Sequence, residues 1–300
     1  MALKPWNEMR VSPSKLGALA APDYCPLCYW RLQRLKFRKP FNFPMPGILN
    51  NLDAQHKQLV SVLLDRVGKL PAFFGSFRGA TEMLPIEAIS GFHSETNLDL
   101  YGKPDLVLRN AQGKVMVIDN KTAKIKPATH PLSARYCAQI NMYGMLLERC
   151  PDEYEVTKVA LLYYEFDPLT DDEIVANVGK DFMFARFTPE LVEIEYDPEA
   201  IVIPLLEKFR ELLDLDDPPE GREGCKDCLL LESFHDCTKM TDAIRLPLRN
   251  DTADQQRYIR ETYLKQFGIS DERQARLDRV WRDAQPEGTL ADWFDDDTAA

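Results

Sequence analysis

Apolar residues recur along the chain at two periods, and the elements follow from them. Between Ile48 and Val67 the row Ile48, Leu52, Leu59, Leu63 and Val67 keeps helical spacing, which predicts a helix with that row turned inward. His56 falls between Leu52 and Leu59 and is expected to face the interior with them. Residues 98–108 and 115–121 read as two strands joined by the turn Asn110-Ala111-Gln112-Gly113. A helix follows over 135–149 and stops before Pro151. The segment 156–166 puts Val159, Leu161 and Tyr163 on one strand face. Segments 182–187 and 191–196 read as a further pair of strands, and 198–215 as a helix. Near the start, Ser12-Pro13-Ser14-Lys15-Leu16 opens a short helix with Ser12 or Ser14 as N-cap. Residues 40–46 read as extended, and charged helices are expected beyond Asn250. The order predicts a mixed α/β core.

Composition narrows this picture without changing it. The chain has 300 residues, 45% hydrophobic and 28% charged, as globular proteins do. No apolar run approaches the ~20 residues of a membrane span. Residues 1–10 mix Lys4, Glu8 and Arg10 where a secretory signal would be apolar. A cytoplasmic protein with no membrane partner is expected.

Charge changes more. The net charge of -11 argues against a protein coated in nucleic acid, yet residues 1–50 carry +6 and residues 101–150 carry +5. Acid concentrates in 165–199 and 251–300. An acidic chain can therefore present one basic face to phosphate. Arg31, Arg34, Lys36, Arg38 and Lys39 cluster without an intervening acid, and Lys124 and Lys126 follow the second strand of the hairpin. These are candidate nucleic-acid contacts, weighed evenly against a solvated helix face.

The candidate chemistry lies on the hairpin. Asp119 and Lys121 are two apart and share a strand face. The hairpin can bring Asp105, which follows Pro104, beside them. Two carboxylates suit a hard divalent cation, and a lysine suits the charge that develops on a phosphate. An Asp-x-Lys triplet alone is more often a surface ion pair. What adds weight is Gln139 and Tyr143 at i and i+4 on one helical face, with His56 turned inward upstream.

The seven cysteines include two C-x2-C pairs, Cys25/Cys28 and Cys225/Cys228, with Cys237 nearby. Paired this way in a reducing compartment, they point to metal rather than disulfides. His235 offers a nitrogen ligand should the metal be zinc. Cys137 and Cys150 stand alone and read as buried small groups.

Pro104-Asp105, Asp119-x-Lys121 and Gln139-x3-Tyr143, in this order, resemble the motif series of the PD-(D/E)XK nuclease superfamily. The likeness extends to its RecB-like branch, which includes CRISPR-associated exonucleases, through Ser12-Pro13-Ser14-Lys15-Leu16 and Cys25-Pro26. It spans about Val11 to Cys237. The resemblance implies a restriction-endonuclease-like α/β core, with a mixed central sheet flanked by helices, a helical N-terminal part and a cysteine–metal staple. Its parts would be 1–47 with the basic segment and first cysteine pair, 48–215 as nuclease core, 216–250 as cysteine cluster, and 251–300 as a charged extension.

It further implies that Asp105, Asp119 and the Asn120 carbonyl hold Mg2+ or Mn2+, with His56 or its rival Asp53 completing the site. Lys121 would position the attacking water, and Gln139 and Tyr143 would support it. Four of Cys25, Cys28, Cys225, Cys228 and Cys237 would hold a [4Fe-4S] cluster, the alternative being structural zinc. The implied function is hydrolysis of DNA phosphodiesters, on single strands or ends, in repair, recombination or CRISPR-type processing beside a helicase or CRISPR partner. A catalytically impaired module that binds nucleic acid or a helicase is the alternative.

Overall fold

The computed structural model describes residues 10–37, 47–124, 130–150, 154–179 and 184–231. The chain divides into two compact units, Met1–Cys228 and Leu229–Ala300, and the fold and both sites below belong to the first. Its elements in order are β1 Arg10–Val11, α1 Pro13–Gly17, α2 Pro26–Arg34, α3 Gly47–Val67, β2 Ala80–Met83, β3 Ile89–His93, β4 Leu98–Gly102, β5 Leu106–Asn110, β6 Val115–Lys121, α4 Pro131–Glu148, β7 Val156–Asp167, α5 Asp171–Ala176, β8 Arg186–Ile194, α6 Pro198–Ile201 and α7 Ile203–Asp214.

The main sheet runs β2-β5-β6-β7-β8. Only β6 and β7 pair in parallel; the other neighbours are antiparallel, so the sheet is mixed. A smaller sheet runs β1-β4-β3. The central strands are apolar on both faces, as strands covered on both sides must be. Val115, Val117, Val159, Leu161 and Tyr163 enter the core that α4, α7 and the small sheet share. Met116, Ile118, Ala160, Leu162 and Tyr164 enter a second core with Val60 and Leu64 of α3 and with Phe74 and Phe77. This is the α/β architecture of helices flanking a mixed sheet.

Several elements differ from the periodic reading. The stretch 98–108 is two strands in two sheets, broken at Lys103-Pro104-Asp105. Pro104 has no N–H to continue a ladder, so the chain leaves the small sheet there and joins the large one. The expected strand pair within 182–196 is one strand over its described part, β8, which zips along β7 from Arg186 to Ile194. The expected helix over 198–215 breaks at Val202. Strands β2 and β3 and helix α5 were not expected.

Helix α3 forms as expected but in a different phase. His56, Val60 and Leu64 are its buried row, whereas Ile48 is 67% exposed and Leu59 and Val67 are also exposed. The run Leu59-Val60-Ser61-Val62-Leu63-Leu64 is apolar nearly all round, so periodicity alone leaves its rotation open. The hairpin turn is as read, with Gly113 at φ +80° where a side chain would be strained. Ser12 does occupy the N-cap of α1, but its hydroxyl does not cap the helix. Residues 40–46 and those beyond Asn250 lie outside the described residues.

Helix α4 is the pivot. Pro131 starts it and His130 Nδ1 accepts the Leu132 N–H at 3.1 Å. Asn141, fully buried, donates to the Cys137 and Glu195 carbonyls and accepts the Asp197 N–H. That side chain ties α4 to the chain leaving β8. Cys150 is buried just beyond α4, its thiol donating to the Leu147 carbonyl, and Cys137 is half-buried.

Candidate active site and cysteine cluster

The break at Pro104 sets Asp105 at the entrance of β5, where its Oδ2 accepts the Asn120 N–H of neighbouring β6 at 2.8 Å. The next residues of β6 diverge by strand alternation. Asp119 and Lys121 turn toward α4, where the two form a close ion pair. Gln139 of α4 joins both: its Nε2 donates to Asp119 Oδ1 at 3.2 Å, and its Oε1 accepts from Lys121 Nζ at 3.3 Å. Burial raises the Asp119 carboxyl to about 6; the charge of Lys121 opposes this and that of Asp105 adds to it.

Tyr143, one turn further along α4, is nearly buried against Gly102 of β4. A Cβ at Gly102 would lie 2.9 Å from its ring, so glycine is what lets the tyrosine approach. Burial, and then the charge of Asp119, keep the Tyr143 hydroxyl protonated. Asp105, Asp119, Lys121, Gln139 and Tyr143 are thus drawn into one chain of contacts spanning three elements.

On the opposite face of the sheet, His56 stacks on Tyr164 with ring centroids 3.4 Å apart. Burial lowers the His56 pKa, with Asp53 and Asp105 opposing. Its Nδ1 and both polar atoms of the Asn120 side chain are buried without a hydrogen-bond partner. Among the described residues, only Cys25, Cys28, Cys225 and Cys228 form a group of three or more His, Cys, Asp or Glu placed to hold a metal ion.

Two neighbours went unread in the sequence. Lys57 lies 2.6 Å from Asp53 and 3.3 Å from Asp105, linking the two acids. Burial works against its charge, but the two carboxylates outweigh that and raise its pKa. Tyr136 places its ring 4.1 Å from Lys121 Nζ. Their signals were present: Lys57 stands at i+4 from Asp53, and Tyr136 at i−3 from Gln139.

The basic segment divides. Arg34 donates to the carbonyls of Leu213 and Leu215, capping the C-terminal end of α7. Arg31, Arg34 and Lys36 are all half-buried. Lys124 is exposed and pairs with Glu165 at 3.3 Å. Arg38, Lys39 and Lys126 lie outside the described residues.

Cys25 is the N-cap residue of α2 and Cys28 sits in its first turn, and Cys225 and Cys228 approach from beyond α7. Their sulfurs lie within 4.8 Å of one another, close enough to form a metal site. Cys237 and His235 lie outside the described residues. Burial opposes ionisation of Cys25, but hydrogen bonds from the Cys28 and Arg222 backbone and neighbouring thiols bring it to about 6. Burial, then hydrogen bonds with the other cysteines, push Cys28 up.

The family model of the PD-(D/E)XK nuclease superfamily matches residues 31–233. Among solved structures, one described as the crystal structure of SSO0001 aligns at a TM-score of 0.36 and 18% identity, over 80% of this chain and 90% of that one. No curated protein matches the chain.

Proposed function

Since the chain belongs to the PD-(D/E)XK nuclease superfamily, we propose that it is a metal-dependent deoxyribonuclease of RecB-like type, acting on single strands or DNA ends. The observation that carries this reading is the bridge of Gln139 between Asp119 and Lys121, with Asp105 fastened to the Asn120 N–H.

The donors fit a hard divalent cation, Mg2+ or Mn2+. Asp105 and Asp119 are oxygen donors, and buried polar atoms of Asn120 and His56 on the opposite face of the sheet have no hydrogen-bond partner. Asp105 and Asp119 would hold the ion, with the Asn120 carbonyl and His56 or Asp53 as further donors. When bound, such an ion supplies Lewis acidity toward the phosphate and a lower pKa for water.

The protein's own groups do the positioning. Gln139 fixes the orientation of both Asp119 and Lys121 by donating to one and accepting from the other. Lys121 Nζ orients the attacking water and offsets charge growing on the phosphate oxygens. Tyr143, keeping its proton, is a donor toward the DNA backbone. Lys124 and the basic segment before α3 would attract phosphates. Repair, recombination or CRISPR-type processing, with a helicase or CRISPR partner, is the setting this chemistry suits.

The test uses purified protein, Mn2+ and end-labelled single-stranded DNA, beside Asp119→Ala and Lys121→Ala. Cleavage by the wild type, reduced at least about 100-fold in both variants, is expected. Equal rates in all three would refute the enzyme reading. Tight binding without cleavage would favour a binding module instead.

A further inference from the structure

We propose that Cys25, Cys28, Cys225 and Cys228 hold a single tetrahedral zinc ion, not an iron–sulfur cluster. This is independent of the nuclease reading. Sulfurs around one zinc, each about 2.3 Å from the metal, stand about 3.8 Å apart. Those at the four corners of a cubane stand much further apart, on the order of 6 Å. Here Cys25–Cys228 is 3.5 Å, Cys28–Cys225 is 3.7 Å and Cys28–Cys228 is 3.2 Å, with all four sulfurs within 4.8 Å. The arrangement has the size of one ion's tetrahedron. A [4Fe-4S] core would have to spread every sulfur pair.

The surroundings are built for thiolates at that spacing. The Arg222 N–H donates to Cys25 Sγ at 3.2 Å, an N–H···S bond that favours the ionised sulfur. Cys25 and Cys28 stand at the N-terminal end of α2, where the helix dipole also favours negative charge. Gly224 turns with φ +66° just before Cys225, and the Cys225 N–H closes that turn on the Arg222 carbonyl. At Gly221 a Cβ would come to 3.3 Å from Cys228 Sγ, so this loop is drawn tightly over the sulfurs.

Four thiolates and one Zn2+ carry a net charge of about −2. The cavity of about 600 Å3 beside Cys25, Cys28 and Cys225 is lined by Arg135, Arg222 and Lys226, against Asp23 and Asp227. Those cations offset the charge of the site. The ligand pairs are separated by about two hundred residues of chain, so the ion would fasten α2 to the segment after α7. Arg135 belongs to α4, the helix that also carries Gln139.

The experiment measures metal and acid-labile sulfide in the full chain, purified anaerobically from cells supplied with both iron and zinc. Expected are about one zinc per chain, negligible iron and sulfide, and a colourless protein that takes the intense visible bands of a tetrathiolate site on Co2+ exchange. Cys28→Ser is expected to lose the zinc and to lower Tm. Cys225→His is expected to keep it, since imidazole also ligates zinc, and Cys237→Ser is expected to keep it in full. About four iron and four sulfide per chain would overturn the proposal. So would a metal-free protein with oxidised cysteines, or loss of the metal from Cys237→Ser, a result readable even if Cys28→Ser fails to fold.

Discussion

Gln139 is the residue at which the charged chemistry of the site becomes a fixed geometry. One amide donates to Asp119 and accepts from Lys121, so neither charged group sets its orientation alone. Replacing it with leucine leaves both charges but removes what aligns them. Gln139→Leu is therefore expected to lower turnover about 10- to 100-fold with Tm nearly unchanged, read in the Mn2+ cleavage assay and by thermal melting.

A different titration belongs to His93, buried at the end of β3 with its Nδ1 2.8 Å from Thr96 Oγ1. Burial lowers its pKa, with Glu95 and Arg149 as the nearest opposing and reinforcing charges. The unfolded chain then binds a proton near pH 6.5 where the folded protein does not, so stability falls as pH drops below that value. Tm of the wild type is expected to fall more than that of His93→Gln between pH 7.5 and 5.5. Parallel curves would show that His93 binds its proton equally well in the folded and unfolded states.

At the scale of elements, α1 and α4 approach each other closely at Gly17. Gly17 of α1 lies where a Cβ would meet the Arg135 carbonyl oxygen at 2.5 Å. That oxygen is part of the backbone, so it has little room to yield. Gly17→Ala is expected to cost about 1–3 kcal/mol, lowering Tm by roughly 2–12 °C. Gly79, with no atom within 4 Å of an added Cβ and no positive φ, provides the control: Gly79→Ala is expected to stay within about 0.5 kcal/mol of wild type. If Gly17→Ala melts like the control, α1 and α4 are not in the close contact described.

For the whole molecule, the uneven charge would govern the proposed binding of DNA. A chain of net −11 repels DNA everywhere except where its basic residues gather. Contact with roughly four phosphates would make affinity for single-stranded DNA fall about 50-fold between 50 and 200 mM salt, measured by fluorescence anisotropy in Ca2+ to prevent cleavage. Affinity independent of salt would mean that phosphate contacts do not drive binding.

What was legible in the sequence is what depends on near neighbours. Strand alternation puts Asp119 and Lys121 on one face, and helical spacing puts Gln139 and Tyr143 on another. Those periods are properties of the backbone itself, so Asp119, Lys121, Gln139 and Tyr143 could be paired before any tertiary contact was known, while Asp105 came from the hairpin and from the motif order that resembles the nuclease superfamily. Only the tertiary structure decided the rotation of α3, because Leu59 and Val60 are equally apolar and burial alone chooses between them. It also divided 98–108 between two sheets and gave Asp105 its partner in Lys57. It drew Cys25 and Cys28 to Cys225 and Cys228 across some two hundred residues, because which distant side chains meet is set by the packing of the whole chain and not by any local period.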